Sequence, residues 1–461
     1  MNSGDAPPVV ACPGSLPDFF DRGALFFANL LGLFFGNEAE TRALAAEVGE
    51  VDTYGGRLIP IIDLVFRGGG NTLLLEREPD PDLCAHFVET LGLTLPRVEV
   101  LSHAGYVAMG RALQNGDGLP EDLGRLVAAG GPGWVDGYVT DETVAAFAAK
   151  AGWRTIASIE GSRRGNNKRL LHEFLCEADL PVVETAIAGS PEEVERALVK
   201  LRASGFAAAG VKSAIGASGI GLLKFSSLDD PAARAAEVPG HFFYEGPCLV
   251  QGWLSPGGLG VTRVRSPSAQ LFLDDERVYL YDLTEQILSR ASVHEGNESP
   301  PPYLRDEPAL RSELLRQAGL AGQWLHRQGY RGTGSVDFLV VDRAGSAIPE
   351  VYVCEINARV TGATYPSILA RHFMPEGAWL LRNLRFREPL TGRDLLAALR
   401  DSGDLFVPGR TENGLVPLNF NVGRDGLVHK GQFLCLAHSP AGSHVLLEIA
   451  ELDLPCEPDR D

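Results

Sequence analysis

The chain of 461 residues is long enough for about three domains, and 45% hydrophobic with 22% charged residues is the composition of an ordinary globular protein. The formal net charge of -19 argues against duplex nucleic acid as a partner, because such binding needs a basic surface that displaces counterions from phosphates. Seven cysteines without CxxC pairs favour reduced thiols over a disulfide framework or a zinc site.

The first 155 residues alternate between strand-like and helix-like segments. They are strand-like at 71–76 and 98–103 and helix-like at 80–92 and 141–152, with an Asp cap before the last helix. This alternation predicts a small parallel sheet with covering helices. The region lacks a GxGxxG motif, so nothing in it indicates a dinucleotide site.

An apolar segment at 23–37, GALFFANLLGLFFGN, is the one stretch with a membrane-like composition. It is too short to span a bilayer, contains Asn29, and has neither a basic segment before it nor a small-residue cleavage site after it. We therefore expect a buried strand and loop of the first domain. We expect no membrane partner, no targeting signal and a cytoplasmic location.

A glycine-rich stretch at 210–225, GVKSAIGASGIGLLKF, follows two predicted helices, one starting at Lys168 and one capped by Ser190 and ended by Gly205. Apolar runs on both sides predict a hairpin with the glycines at its tip. The Walker spacing does not fit, because Lys212 precedes most of the glycines. Only six of the 41 basic residues are lysines, so a point-charge role for these lysines stands beside the alternative of ordinary surface residues.

The rest of the chain adds strands, one long helix and a C-terminal unit. Strands or strand pairs are predicted at 247–254, 268–288, 335–342 and 351–358, and a helix at 307–328. The C-terminal unit contains strand-like segments at 415–422 and 444–452 and gives no chemical signal of its own.

The most informative stretch is CEINARVTG at 354–362. On a strand, alternate side chains share a face, so Glu355, Asn357 and Arg359 point one way while Cys354 and Ile356 point into the packed layer. On the preceding strand, an acid at 337 interrupts an apolar run, and the turn at 342–350 can bring it beside Glu355. Such oxygens together suit Mg²⁺. The alternative is a salt-bridged acid on an edge strand.

Positive charge and a flexible loop precede this acidic face in the chain. Lys168 and Lys212 supply separate cations, and the backbone N–H groups of Gly216, Ser218 and Gly219 can approach phosphate oxygens. Each feature alone is weak evidence, but all of them occur in one order along the chain.

That ordered set resembles the ATP-grasp superfamily over residues 156–390. The resemblance implies an α/β and α+β fold in which ATP lies between two subdomains, with a lysine on the strand before a flexible phosphate lid. The implied sites are Mg²⁺ at Asp337, Glu355 and Asn357; the ATP phosphates at Lys168, Lys212, Gly216, Ser218 and Gly219; and adenine at Gln251 and Leu254. The acid that commonly holds the ribose is missing from 252–264, so that contact is unassigned.

Catalytic and substrate residues follow from the same resemblance. Arg359 is expected to face the transferring phosphoryl group and the oxyanion of the tetrahedral intermediate, with a structural pairing to Glu355 as the alternative. Lys212 is the second catalytic candidate. The substrate candidates are Arg263 and Arg265 as clamps or as a solvated face, Gln286 as a pocket residue or a backbone partner, and Thr361 and Gly362 as N–H donors to a carboxylate.

Several segments are similar to the peptide ligases of the pheganomycin type. These are GALFFANLLG, IIDLVF, GNNKRLLHEFL, TEQIL with HEGNESP, and EINARVTGATYPSILARHF. The similarity implies a pre-ATP-grasp domain at 1–155, an ATP-grasp domain at 156–394 and a small C-terminal domain at 395–461.

The implied reaction joins a carboxylate to an amine with ATP and Mg²⁺, through an acylphosphate, in the synthesis of a specialised peptide product. The partners are then a small-molecule carboxylate and an amino acid or peptide amine, and a homodimer is possible. Two rivals remain open, a phosphotransferase on the same scaffold and a non-catalytic ATP-binding regulatory protein.

Overall fold

The computed structural model describes residues 6–49, 54–288 and 294–457. These residues form a five-stranded sheet, a four-stranded sheet and a ten-stranded sheet, with helices packed between and around them. This arrangement confirms the predicted mixture of α/β and α+β architecture.

The N-terminal part contains the five-stranded sheet, in the order β4-β3-β2-β5-β6 with every pair parallel, as predicted. The five strands of this sheet are β2 (Leu25–Phe27), β3 (Thr72–Leu75), β4 (Arg97–Val100), β5 (Trp134–Gly137) and β6 (Arg154–Thr155). The N-terminal part also contains β1 (Val9–Ala11), which belongs to the ten-stranded sheet. The helices of the N-terminal part are α1 (Glu38–Val48), α2 (Ile62–Val65), α3 (Pro81–Glu89), α4 (His103–Gln114), α5 (Glu121–Ala128) and α6 (Glu142–Ala151), with short 3-10 turns at Leu30–Gly32 and Gly56–Leu58.

Local chemistry explains these elements. All three residues of β2 are buried, which confirms a strand followed by a loop in the apolar segment. The carboxylate of Asp80 accepts the N–H of Leu83 at the start of α3, and Asp141 accepts two N–H groups at the start of α6.

The four-stranded antiparallel sheet follows, in the order β7-β10-β8-β9. Its elements are α7 (Ile159–Gly165), α8 (Lys168–Glu177), β7 (Thr185–Ala188), α9 (Pro191–Ala203), β8 (Ala209–Ala217), β9 (Ile220–Phe225), α10 (Pro231–Ala236), a 3-10 turn at Gly240–Phe243 and β10 (Cys248–Gly252). The Ser190 hydroxyl caps α9, and Gly205 adopts a φ of 91° after its end, as predicted.

The ten-stranded sheet runs in the order β11-β15-β12-β13-β14-β17-β19-β18, with β1 paired to β13 and β16 paired to β15. Its elements are β11 (Val261–Arg265), β12 (Pro267–Leu273), β13 (Val278–Leu288), β14 (His294–Ser299), α11 (Pro308–Arg327), β15 (Gly332–Arg343), β16 (Glu350–Asn357), α12 (Thr364–Phe373), β17 (Ala378–Leu390), α13 (Gly392–Ser402), β18 (Gly414–Val422), β19 (Val428–Ala437) and α14 (Pro440–Asp453).

The two faces of this large sheet pack against different partners. Leu271 and Leu280 point to one face, in a core with Leu314 and Ala318 of α11. On the other face Phe272 contacts the N-terminal part, and its ring lies 4.9 Å from the ring of Phe19. The second face of the large sheet therefore packs against the N-terminal part.

The C-terminal part departs from the sequence prediction in one element. The segment at 444–452 belongs to α14, not to a strand, so that prediction was wrong. The helix begins after the Ser439 cap with Pro440 in its first turn, and it buries Leu447 and Ala450 one turn apart. The strand predicted at 415–422 is confirmed as β18.

No helix among the described residues is long and apolar enough to cross a membrane.

Candidate functional site

An acidic pair lies on β15 and β16, toward one end of the large sheet. Strand pairing places Asp337 directly opposite Glu355, as the sequence predicted. The Asp337 carboxylate accepts hydrogen bonds from Ser268 Oγ at 2.7 Å and from Asn357 Nδ2 at 2.9 Å. Burial, followed by the neighbouring charge of Glu355, raises the pKa of Asp337 to about 6. Two acids this close in a buried sheet indicate a site that gains from a cation.

The strand carrying these residues has one irregularity. Ile356 is buried in the core under α11, as expected from alternation. The pairing shifts between Asp337 and the next residue, and Cys354 falls at this shift, partly exposed. Burial raises the pKa of Cys354 to about 11, and the nearby Lys212 charge opposes that shift. Cys354 therefore departs from simple alternation and lies toward the site.

Lys168 links the acidic pair to the glycine-rich hairpin. The residue begins α8 after an Asn167 cap. Its Nζ lies 3.1 Å from Glu355 Oε1 and donates a 2.9 Å hydrogen bond to the carbonyl of Gly216. Burial lowers the pKa of Lys168. The structure thus brings together two groups that are far apart in sequence.

The glycine-rich stretch forms the predicted hairpin, β8 to β9, with a two-residue tip. Ser218 and Gly219 have φ values of 53° and 82°, the pattern of a tight turn that suits the strand twist. A Cβ at Gly216 would lie 2.6 Å from the carbonyl of Ile220, so only glycine fits there. The hairpin packs against the N-terminal part, because Ile215 belongs to that core.

Lys212 and the predicted adenine strand are also adjacent. Lys212 Nζ donates to Gln251 Oε1 at 2.8 Å, and Gln251 Nε2 donates to Thr185 Oγ1 at 2.9 Å. Leu254 is buried in the core of the small sheet. These contacts connect the two residues assigned to phosphate and adenine, whose roles stay predictions.

Asn166 is a site residue that the sequence reasoning missed. Its Oδ1 accepts the N–H of Ala358 at 3.1 Å and a hydrogen bond from the Arg359 guanidinium. Its Nδ2 donates to the carbonyls of Ser162 and Ala358. Asn166 therefore holds the end of β16 and aims Arg359, although its only sequence signal is its place before the α8 cap.

The five substrate candidates fall into separate places. Arg263 and Arg265 share a face, as predicted, with their guanidinium carbons 5.8 and 4.5 Å from the Tyr303 ring centre. Arg265 is only 4% exposed and pairs with Glu307 and Asp342, each at 2.7 Å. The positive charge of Arg265 is therefore already paired with two carboxylates. The role of Arg263 and Arg265 as substrate clamps stays a prediction.

The other candidates lie in the loop before α12 and on β13. The N–H of Thr361 donates to Thr364 Oγ1 at 2.9 Å, just before α12, and Gly362 follows in the same loop. The Thr361 hydroxyl donates to Gln270 Oε1 at 3.5 Å. Gln286 is partly exposed and opposite Asn297 in β14.

The donor set fits a magnesium ion. Among the described residues no cluster of three or more His, Cys, Asp or Glu side chains is suited to a metal. The acidic pair with the amide of Asn357 supplies hard oxygen atoms, which suit Mg²⁺ and leave positions for phosphates and water. Because burial and the charge of Glu355 raise the pKa of Asp337, a cation beside the pair would favour its ionised form.

Solved structures share this architecture over almost the whole chain. The biotin carboxylase-beta-gamma-ATP complex from Campylobacter jejuni superposes with a TM-score of 0.56 at 14% identity, covering 95% of this chain and 92% of that chain. N5-carboxyaminoimidazole ribonucleotide synthetase from Thermus thermophilus gives a TM-score of 0.53 at 14% identity, covering 95% and 100%. The chain therefore has the ATP-grasp fold.

Sequence comparison adds one curated relative. The [butirosin acyl-carrier protein]--L-glutamate ligase of Niallia circulans is 32% identical over 182 residues. The match spans 38% of this chain and 38% of that protein. No family model matches the sequence.

Proposed function

We propose that this chain is an ATP-dependent ligase that activates a substrate carboxylate as an acylphosphate and couples it to the amine of an amino acid or peptide. The observation that carries the proposal is the link from Asp337 and Glu355 through Lys168 to the glycine-rich hairpin. The ATP-grasp fold and the glutamate ligase relative support the same class of reaction. By its name, that relative joins L-glutamate to an acyl-carrier protein.

In the first step a carboxylate oxygen of the substrate attacks the γ-phosphorus of ATP, and ADP leaves as the bond to the β-phosphate oxygen breaks. Both reactants are anions, so the step requires positive charge beside the attacking and leaving oxygens. Lys168, Lys212 and Arg359 supply it. Asp337, Glu355 and Asn357 would hold Mg²⁺, which neutralises charge on phosphate oxygens.

In the second step a neutral amine attacks the acyl carbon. Phosphate leaves with the electrons of the C–O bond, and the proton lost by nitrogen leaves with it. Arg359, aimed by Asn166, is placed to stabilise the oxyanion of the intermediate, a role worth about 3 kcal/mol for comparable donors. The hairpin packed against the N-terminal part protects the acylphosphate from water.

The test is release of ADP and phosphate from ATP and Mg²⁺ with a panel of amino acids, short peptides and acyl-carrier proteins, alone and in pairs, with mass spectrometry of the products. The proposal requires release that depends on a pair and a product with the mass of both partners minus water. A phosphorylated product that needs no amine would establish a phosphotransferase. Tight ATP binding without turnover in any mixture would establish a regulatory protein.

The matched control is Glu355→Gln, which keeps the shape of the site and removes one carboxylate of the acidic pair. We expect this variant to fold and bind substrates but to lose pair-dependent ADP release. Continued release at the wild-type rate would show that the observed turnover comes from elsewhere.

A further inference from the structure

Two rows of polar side chains cross β12, β15 and β16 on the face that carries the acidic pair. Strand register pairs Ser268 with Asp337 and Glu355 in one row, and Gln270 with Ser335 and Asn357 in the other. Directly opposite residues, and residues two apart on one strand, point to the same side of a sheet. The proposed function assigns Mg²⁺ to three of these six residues. The other three, on β12 and β15, have no role in it, and we call them the support group.

The support group is buried. Ser268, Gln270 and Ser335 are 2%, 0% and 1% exposed. Burying a polar side chain costs free energy unless its polar atoms are hydrogen-bonded, so the partners of these three residues matter for stability as well as for the site. At this depth the support group acts on the site through the side chains that it contacts.

The direction of the hydrogen bonds that lead to Asp337 follows from their chemistry. An ionised carboxylate only accepts, so the single hydroxyl proton of Ser268 points to Asp337 Oδ1, 2.7 Å away. The Ser268 oxygen then accepts from Gln270 Nε2 at 3.1 Å. This bond orients the Gln270 amide with Oε1 at its other end, where Oε1 accepts from the Thr361 hydroxyl at 3.5 Å. The chain of donors therefore runs in one direction, from Thr361 to Asp337.

The second row supports the same carboxylate from the other side. Asn357 Nδ2 donates to Asp337 Oδ2 at 2.9 Å and to Ser335 Oγ at 3.2 Å. Ser335 Oγ donates to Asp337 Oδ1 at 3.4 Å. Both oxygens of Asp337 therefore have donors, which fix the orientation of the carboxylate. The amide oxygen of Asn357, the atom that suits a cation, is not used in either bond.

We propose that Gln270 is a positioning residue that holds Asp337, through the Ser268 hydroxyl, in the orientation that binds Mg²⁺. This inference rests on the metal site of the proposed function and deepens it, because it adds a residue that contacts neither metal nor substrate. Hydrogen bonds that orient a metal ligand typically contribute about 10- to 100-fold to metal affinity. Since Gln270 also accepts from Thr361, one amide joins the metal site to the loop before α12.

The test measures metal binding without turnover. Mn²⁺ prefers the same oxygen ligands as Mg²⁺, and electron paramagnetic resonance reports its binding to the full chain with a non-hydrolysable ATP analogue. Gln270→Met keeps side-chain volume and removes the amide, and Ser268→Ala removes the hydroxyl. We expect each variant to weaken Mn²⁺ binding by about tenfold. Affinity for the analogue in excess EDTA should stay at the wild-type value, whereas a collapsed site would lower it as well.

A double variant shows whether Gln270 acts through Ser268. Once the hydroxyl is absent, loss of the Gln270 amide has nothing further to remove. The variant with both replacements should therefore bind Mn²⁺ about as weakly as Ser268→Ala alone, whereas two independent effects would multiply to about 100-fold. The matched control is Gln317→Met on α11, which is as buried as Gln270 and packs against the other face of the sheet. We expect no change in its Mn²⁺ affinity.

The outcomes separate this inference from the proposed function. Wild-type Mn²⁺ affinity in Gln270→Met, equal losses in Gln270→Met and Gln317→Met, or a multiplied loss in the double variant overturns the positioning role. Asp337→Asn is the reference, and unchanged Mn²⁺ binding in it overturns both the metal assignment and this inference. Because no turnover is measured, the positioning role can hold in a phosphotransferase or a regulatory protein and can fail in an active ligase.

Discussion

Some functional side chains can be recognised from the sequence before the fold is known, and others cannot. Asp337 stood out because an acid in an apolar strand needs a positive partner, and the structure places it opposite Glu355. Asn166 did not stand out, because its contacts with Ala358 and Arg359 join residues almost 200 positions apart. An amide that holds a distant backbone has no local signature in one sequence.

Lys212 tests the proposed site most directly. Lys212→Ala removes the proposed phosphate cation and its hydrogen bond to Gln251, so we expect normal folding and turnover lower by about 100-fold, equivalent to ~3 kcal/mol of lost charge stabilisation. Steady-state ADP release with circular dichroism checks both expectations. Lys224→Ala is the control, because Lys224 lies on the next strand, exposed above the Trp253 ring. Equal losses in both variants would contradict a specific role.

His86 gives a pH dependence of stability. It is 4% exposed on α3, and neither ring nitrogen has a hydrogen-bond partner among the described residues. Burial, helped by the nearby Arg400 charge, lowers the pKa of His86 from 6.5 to about 4. Because the unfolded chain binds the proton first, the free energy of unfolding should fall by up to about 3 kcal/mol as pH drops from 6.5 to 4.

Denaturant unfolding of wild type and His86→Leu at several pH values measures this effect. The free energy of unfolding of wild type should fall relative to that of His86→Leu as pH drops, because only wild type loses this contribution. His438→Leu, which replaces an exposed histidine, is the control. A constant difference between wild type and His86→Leu across that range would show that His86 does not titrate as proposed.

At the scale of elements, strong local signals gave correct predictions and mixed ones did not. Ser190 with its acidic first turn predicted α9, and flanking apolar runs predicted the glycine-rich hairpin. The segment at 444–452 is rich in Val, Leu and Ile, which favoured a strand, although Ser439 and Pro440 just before it are helix-start signals. The strand prediction gave the apolar residues of this segment more weight than the helix cap at Ser439.

The pairing order of strands was beyond the sequence. No local sequence feature indicates that β17, β19 and β18 extend the sheet that carries the acidic pair. Pairing between strands depends on the whole core, so this order could not be predicted from local sequence. The division into three domains likewise stays a prediction.

The glycine-rich hairpin provides a prediction at this scale. Gly221 has a φ of 78°, and a Cβ there would lie 2.1 Å from Ser213 Oγ and 2.9 Å from Glu40 Oε1. Gly221→Ala should force the hairpin away from the N-terminal part at a cost of about 1–3 kcal/mol, so affinity for ATP should fall by about tenfold. Titration with a non-hydrolysable ATP analogue measures the change.

Gly426→Ala is the matched control for that experiment. Gly426 lies in the turn between β18 and β19, has the same φ of 78°, and has no atom within 4 Å of the position that a Cβ would take. It therefore carries the backbone cost of a left-handed alanine without the collision. If both variants weaken ATP binding equally, the collision at Gly221 is not the cause.

At the scale of the whole molecule, the contact between the N-terminal part and the hairpin includes a buried carboxyl group beside the apolar packing. Glu40 on α1 is 1% exposed beneath the hairpin, where its carboxyl group lies beside the hydroxyl of Ser213. Burial raises the pKa of Glu40 and outweighs the opposing effects of that hydroxyl and of the Lys168 charge, while the charge of Glu245 reinforces the rise. The packed arrangement therefore favours the protonated carboxyl group.

The sign of this effect follows from the raised pKa. The packed hairpin is fully stabilised below the ordinary carboxyl pKa and loses that stabilisation as pH rises through the raised value. Without nucleotide, amide hydrogen exchange in β8 and β9, corrected for the intrinsic pH dependence of exchange, should therefore become faster as pH increases. Glu40→Gln should remove this dependence, because its amide stays neutral, while Glu38→Gln on the exposed face of the same helix should keep it. The same rise in Glu40→Gln would mean that another group controls the contact between hairpin and N-terminal part.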